Sequence, residues 1–319
     1  MNIDSPAPVL EPGTQAFVAS LRGPPVYTLT PEAARAELVS AQQAPVGKPP
    51  ATIEDIAFPV GPTGSVGVRI VRPPSAEGLL PVVFHIHGGG WVLGDRHTHD
   101  RMTRELAAGA SAAVVFVDYD RSPEARYPTA LEQAYASMLY VVEHAKALRV
   151  DANRLAVVGD SSGGTISAAL TLLAKQRRGP RLALQVLFYP AMDASFDTGS
   201  YNTFASGPWL TKKAMQWFWD AYLPETSARN EPLAAPLNAT IEQLEGLPDT
   251  FIAVDENDVL RDEGEAFARR LMQAGVRVTS VRYNGTIHDF VLLNALRETP
   301  AARSAMAQAS AALRAVLYR

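Results

Sequence analysis

The sequence predicts an α/β protein with a mostly parallel sheet of about eight strands flanked by helices, and three observations carry that prediction. Five largely apolar runs, at residues 81–86, 112–117, 155–158, 182–188 and 250–254, lack polar alternation and read as strands buried on both faces. Helical patterns at 98–109, 128–148 and 162–178 lie between them, the strand-helix alternation of a doubly wound sheet. Within that alternation, residues 155–158 break at a glycine and pass directly into a helical pattern from 165, giving strand, tight turn and helix in about twenty residues.

Composition bounds the class. The 319 residues can bury a large core, and 47% hydrophobic with 19% charged residues suit a globular enzyme. Twenty-nine basic against 33 acidic residues give a net charge of −4, and no Lys/Arg run exceeds Arg177-Arg178, so neither nucleic acid nor an anionic membrane is an expected partner. The absence of cysteine excludes disulfides, thiolate catalysis and zinc-cysteine sites. The start at Met1 to Pro6 has no basic and apolar leader pattern, and no apolar run approaches the ~20 residues of a membrane span, so a cytoplasmic location is expected.

Taken in order, residues 1–50 read as a helical arm with one clear helix signal, Thr30 as N-cap and Pro31 at the first helical position. Runs at 52–58 and 65–71 follow, the second alternating Val66, Val68 and Ile70 with Ser65, Gly67 and Arg69, as an edge strand with one wet face would. Residues 51–190 and 250–319 then form the core, ending in a strand at 276–283 and a helix at 301–318. Between two core strands, residues 191–249 are far longer than a crossover needs and are read as an insertion. It holds three of the four tryptophans, Trp209, Trp217 and Trp219, beside Phe204, Phe218 and Tyr222. That surface serves either as a small helical core or as a pocket wall; Trp91, Phe204 and Trp209 are the candidate substrate-binding residues.

The tight turn carries the chemistry. Gly159, Ser161 and Gly163 have the G-x-S-x-G spacing, in which small residues on either side let a strained turn hold a hydroxyl clear of the sheet. The following helix aims free N–H groups at the same place, where they favour a developing oxyanion. Gly159-Asp160-Ser161-Ser162-Gly163-Gly164 is one serine away from the motif of chymotrypsin-like proteases, but those are all-β, and helical periodicity follows here. A serine needs a base, and the base an acid to hold its tautomer. His85 inside a β-run and His144 late in a helix read as structural. His97, His99 and Asp100 match part of an H-x-H-x-D-H metal motif, but the aspartate comes one residue early and no third ligand follows, so no metal or other cofactor is expected. His288, in a turn-like stretch after the last strand, stands where a late base belongs, and Asp255, Asp258 and Asp262 all follow the strand at 250–254. His87-Gly88-Gly89-Gly90-Trp91 directly follows the strand at 81–86, where residues without side chains bring N–H groups up to a carbonyl oxygen.

From about residue 50 to the end, the chain resembles the hormone-sensitive-lipase-like family of α/β-hydrolases, the bacterial family IV carboxylesterases. The resemblance lies in His87 to Trp91 continuing to Gly94-Asp95 and Thr98-His99-Asp100, in Val117-Asp118-Tyr119 with Pro123-Glu124, in Gly159 to Gly164, in Tyr189-Pro190, and in Asp258-Val259-Leu260-Arg261-Asp262-Glu263. It implies the α/β-hydrolase fold with a helical cap made by the arm and the insertion. It also implies Ser161 as nucleophile, Asp258 as acid, His288 as base, and an oxyanion hole from the N–H groups of Gly89, Gly90 and Ser162. Four departures stand out. Ser162 replaces the usual Ala, which matters little if only its amide is used; Asp120-Arg121-Ser122 replaces Arg-Leu-Ala, Gln133 a common Asp, and Asp289 the Gly after the histidine.

The expectation is a metal-independent serine carboxylesterase for short- to medium-chain esters, with a small-molecule ester as its partner and a homodimer compatible with the sequence. Acyl chains of roughly acetyl to hexanoyl are expected to be preferred, the insertion being compact and no amphipathic anchor being present. Activity is expected to fall as His288 protonates, at ~6.5 unless neighbours shift it. An amidase or deacetylase would use the same triad. The plant gibberellin receptors share the scaffold without turnover, but they lack the catalytic histidine that His288 supplies here.

Overall fold

Eight strands form a single sheet in the order β1-β2-β4-β3-β5-β6-β7-β8. They are β1 (Thr52–Phe58), β2 (Val66–Arg72), β3 (Leu80–Ile86), β4 (Ala113–Asp118), β5 (Val150–Asp160), β6 (Leu184–Phe188), β7 (Asp249–Asn257) and β8 (Val278–Ile287) in a computed structural model that describes residues 8–74 and 76–319. β1 and β2 pair antiparallel, as do β2 and β4, and every later pair is parallel. Among the described residues ten α-helices accompany them: α1 (Pro12–Ser20), α2 (Pro31–Ala41), α3 (Asp100–Ala110), α4 (Thr129–Glu143), α5 (Ser162–Gln176), α6 (Gly199–Thr203), α7 (Lys212–Tyr222), α8 (Ile241–Leu244), α9 (Arg261–Gln273) and α10 (Pro300–Leu317). None of them is long and apolar enough to cross a membrane.

The apolar runs are strands because each strand face has its own hydrophobic layer. On β3, Val82, Phe84 and Ile86 join the cluster that contains Leu131 and Met138 of α4 and Leu170 of α5, whereas Val83 joins the opposite cluster with Met102 and Leu106 of α3 and Leu313 of α10. Successive side chains point to opposite faces, so helices on both sides leave β3 with no polar face to show. The parallel strands end together at their carboxyl edge, where the turns after β3, β5, β7 and β8 collect the site.

Two expectations change. β1 is an edge strand with a wet face, but β2 lies inside the sheet and is buried along almost its whole length. Its alternation arises because Arg69 is spent on a partner: Asp55 sits directly opposite in register and takes a two-pronged bond from it at 2.7 Å. The arm also holds two helices, not one. α2 starts as expected, with Thr30 accepting from the Ala33 N–H, but α1 precedes it without a side-chain cap and with little amphipathic character. It is held from outside, by Glu11 N–H donating to Gly285 O and by the Glu11 carboxylate accepting from Ala301 N–H. The start of the arm, including Met1 to Pro6, lies outside the described residues.

Residues of the N-terminal 50 and of the segment 191–249 touch each other. Phe17 of α1 packs edge-on against Trp209 at 5.4 Å, and Lys213 of α7 lies over the Tyr27 ring. Arg35 of α2 fastens the arm below by donating to Val92 O, Ser122 O and both oxygens of Glu124.

Candidate active site

β5 ends at Asp160 and α5 begins at Ser162, leaving Ser161 alone in the turn at φ 53°, ψ −123°, a strained backbone for a residue with a side chain. The flanking glycines are required by approach distance. A Cβ on Gly159 would fall 2.2 Å from Gly163 O, and one on Gly163 would fall 2.1 Å from Ile86 O. The turn is fixed further by Ser161 N–H donating to Phe188 O at 2.9 Å. Ser161 therefore reaches the floor of a cavity of about 690 Å³, together with His288, Gly89 and Gly90.

His288 follows β8 and uses its two ring nitrogens in opposite directions. Nε2 is 2.9 Å from Ser161 Oγ and Nδ1 is 2.8 Å from Asp258 Oδ2, so the ring bridges the hydroxyl and the carboxylate. Asp258 lies in the turn between β7 and α9, where its other oxygen accepts from Leu260 N–H at 3.1 Å. Burial alone would lower the His288 pKa, but the carboxylates of Asp258 and Asp289 outweigh it and raise the imidazole to about 9, above the ordinary value expected from the sequence. The three acidic candidates separate by geometry. Asp255 is 3.9 Å from Nδ1, while Asp262 belongs to another contact. Asp262 sits in the first turn of α9 as expected, yet the N–H that it accepts is Ser200's, at 2.7 Å, so it caps α6 and ties the insertion to the core.

Asp255, Asp258 and His288 place three donor atoms within 4.8 Å of one another. Both nitrogens of His288 are committed, to Ser161 and Asp258, and Asp255 lies beside that pair without a hydrogen bond to a described residue. The partial metal motif disperses: His97 is exposed, His99 turns inward, and Asp100 is bonded to Lys48 and Arg104.

The N–H groups of Gly89, Gly90 and Ser162 are bonded to none of the described residues. Their neighbours are bonded. Gly88 N–H donates to Asp160 Oδ1 at 3.2 Å, and Trp91 N–H donates to Ser162 Oγ at 3.0 Å, so the glycine turn is pinned on both sides of its free donors. This corrects the reading of Ser162 as a passive replacement for alanine, because its hydroxyl holds the turn. Asp160 is the residue that sequence reasoning passed over. It is fully buried between His99 Nε2 at 3.2 Å and His85 Nε2 at 3.5 Å; although burial alone would push its carboxyl up, the histidines hold it well below the usual carboxylate range. Three histidines, 85, 87 and 99, so near one motif are the signal that could have found it. His85 and His144 otherwise have structural partners, Thr103 Oγ1 and Tyr140 O.

The cavity wall is mainly apolar, with Phe17, Leu38, Leu93, Leu210, Met215 and Phe218 around the mouth of the turn. Of the three aromatic candidates, Trp209 lines it and donates from Nε1 to Asp289 Oδ2 at 2.9 Å. Trp91 does not, being stacked under α7 on Tyr222 at 4.3 Å, and Phe204 packs in the core beneath the Arg261 guanidinium. Two of the departures prove to be partners of each other: Gln133 accepts from Asp120 N–H and donates to Asp120 Oδ2.

Comparison with known proteins agrees with this arrangement. A family described by the alpha/beta hydrolase fold matches residues 83–292. A thermostable esterase from Pseudomonas putida ECU1011 superposes with a TM-score of 0.94 at 47% identity, over 98% of each chain. The carboxylesterase NlhH of Mycobacterium tuberculosis is 37% identical over 90% of each chain, and an ethyl acetate hydrolase of Pseudomonas putida is 34% identical over 86% of this chain and 87% of its own. The eight-stranded sheet, the turn at Ser161 and these relatives together establish that the chain belongs to the α/β-hydrolase family, among its hormone-sensitive-lipase-like carboxylic ester hydrolases.

Proposed function

We propose that the protein hydrolyses dissolved esters of short- to medium-chain acids through an acyl-enzyme, with Ser161, His288 and Asp258 as its triad. The observation that carries the reading is the single file Ser161 Oγ, His288 Nε2, His288 Nδ1, Asp258 Oδ2, joined at 2.9 and 2.8 Å on the floor of an apolar cavity. His288 takes the hydroxyl proton as Ser161 attacks the ester carbonyl, and Asp258 keeps the ring in the tautomer with hydrogen on Nδ1. The carbonyl oxygen becomes an oxyanion beside the N–H groups of Gly89, Gly90 and Ser162, each such donor being worth about 3 kcal/mol of barrier. His288 then gives its proton to the departing alcohol, and water, activated by the same ring, releases the acid and restores Ser161.

A preference for short acyl chains is supported by the wall that α1, α2 and α7 build close over Ser161, and by a relative named for ethyl acetate. The test is a panel of p-nitrophenyl esters graded from acetyl to palmitoyl, run beside the matching anilides, with fluorophosphonate labelling of the serine. Fastest turnover between acetyl and hexanoyl, slow anilides and a label on the Ser161 peptide are expected. Faster anilide than ester cleavage would make the enzyme an amidase, and a label elsewhere would overturn the triad.

A further inference from the structure

Asp255 ends the regular part of β7 three residues before Asp258. It is wholly buried, and neither of its carboxyl oxygens accepts a hydrogen bond from a described residue. Its surroundings are hostile to a second negative charge. Asp258 lies beside it in the turn that follows and Asp289 faces it from the loop after β8, while Tyr189 just after β6 and Tyr283, opposite it in register on β8, bring neutral phenols. Among the described residues no Lys or Arg comes within 4.0 Å of it. His288 Nδ1 does, at 3.9 Å, but the hydrogen there is committed to Asp258. One imidazole thus faces two buried carboxyls, with the donor atoms of all three within 4.8 Å.

A buried carboxylate without a donor is among the least tolerable groups in a protein interior, and two that face each other cannot both ionise at neutral pH. A proton on Asp255 removes both difficulties, since it cancels the unpaired charge and turns an acceptor that has no donor into a donor for the neighbouring carboxylate. We propose that Asp255 is a positioning residue that stays protonated throughout turnover and donates its carboxyl hydrogen to Asp258, fixing the carboxylate that orients His288. The inference rests on the reading of Asp258 as the partner of His288. No proton is transferred in this role. Burial and the charge of Asp258 both push the Asp255 carboxyl well above the usual carboxylate range.

Two near-isosteric variants and one spectroscopic measurement decide it. Asp255→Asn keeps an N–H donor toward Asp258, whereas Asp255→Leu keeps the bulk and loses the donor. Profiles of kcat/KM against pH, measured with a short-chain ester, report the titration of His288 in the free enzyme. Asp255→Asn should stay within about threefold of the native enzyme with its acid limb unmoved. Asp255→Leu should lose roughly tenfold, the size of one hydrogen bond to a charged group, and its acid limb should move to higher pH, because Asp258 then gives its charge undivided to the imidazolium. Infrared difference spectra at pH 8 should show a protonated-carboxyl band in the native enzyme that Asp255→Asn lacks. An acid limb that moves to lower pH in both variants would mean that Asp255 had been ionised, and would overturn the proposal. So would identical profiles in all three enzymes, or a native spectrum that loses no band in the variant. If Asp255→Leu does not fold, the asparagine profile and the band decide between the same outcomes. Failure of the triad reading looks different, since Asp255→Asn would then abolish turnover instead of shifting or preserving its limb, while Asp258→Asn stayed active.

Discussion

Trp209 and Asp289 are joined by an indole N–H donated to the carboxylate across 2.9 Å, a bond that links the insertion to the residue next to His288. Asp289 also brings its other oxygen to 3.6 Å from His288 Nε2, and it holds a backbone φ of 67° that glycine adopts without strain. Asp289→Gly therefore removes one of the negative groups that hold His288 high. With the neutral ring as the base, activity of the native enzyme should rise with pH up to about 9. Without Asp289 the histidine releases its proton at lower pH, and the acid limb of kcat/KM should move down. A limb that stays in place would show that the Asp289 charge does not reach the base.

Ser161→Ala removes the hydroxyl and little else. The strained turn is fixed by backbone bonds, including Ser161 N–H to Phe188 O, which alanine keeps. Ester turnover should fall by about 10⁴-fold or more with the midpoint of urea unfolding almost unchanged. Retained turnover would remove Ser161 from the chemistry.

How far the sequence showed this site depends on how far apart its parts lie in the chain. The turn at Ser161 is legible because a strand pattern, two glycines and a helix pattern are contiguous, and each demands the same backbone. The glycine turn after β3 and the late histidine are legible for the same local reason. The burial of β2 is not, because it depends on Asp55 reaching back to Arg69, and neither is α1, whose anchors Gly285 and Ala301 come from the far end of the chain. Trp91 and Phe204 misled because a large aromatic residue near a site has the same signature whether it lines a cavity or fills the core beneath it. The pairing of Asp120 with Gln133 is not legible either, because two residues 13 apart in the chain read as separate irregularities although their side chains meet in the fold.

Gly90 stands where the turn proposed to hold the oxyanion meets α7. A Cβ added there would lie 2.2 Å from the Phe218 ring, and the backbone is at φ 60°. Gly90→Ala should displace either the ring or the N–H groups at the turn, lowering kcat by about 10²-fold, the effect of losing one oxyanion donor, while the protein remains folded. An unchanged kcat would show that α7 yields to the methyl and that the donors stay in place.

Asp160 acts behind the site and not in it. Its carboxylate is shared by His99, His85 and the Gly88 N–H, all buried. Asp160→Asn removes the charge that keeps the His99 pKa raised against its burial, so a buried pair is broken from one side. Stability should fall by about 3 kcal/mol in urea titrations at pH 7. A loss under ~0.5 kcal/mol would mean that the pair offsets only its own desolvation.

The last prediction separates two aspartates that follow β7, Asp258 in the turn and Asp262 at the start of α9, which stand four residues apart and look alike in the sequence. Asp258 accepts from the Nδ1 hydrogen of His288 at 2.8 Å and from Leu260 N–H with its other oxygen. An amide in its place can keep the second bond but favours the imidazole with hydrogen on Nε2, which leaves no lone pair to take the Ser161 proton. Asp258→Asn should therefore lower kcat by about 10⁴-fold with little loss of stability. Asp262 faces the insertion, where its oxygen caps α6 at Ser200 N–H and its neighbour Arg261 pairs with it at 2.9 Å. Asparagine still caps, so Asp262→Asn should cost about 1 kcal/mol or less and leave kcat within a few-fold. Steady-state kinetics and urea titration of both variants check the assignment together. If Asp262→Asn is the inactive one, or if Asp258→Asn turns over normally, the file from Ser161 through His288 ends on a different acid.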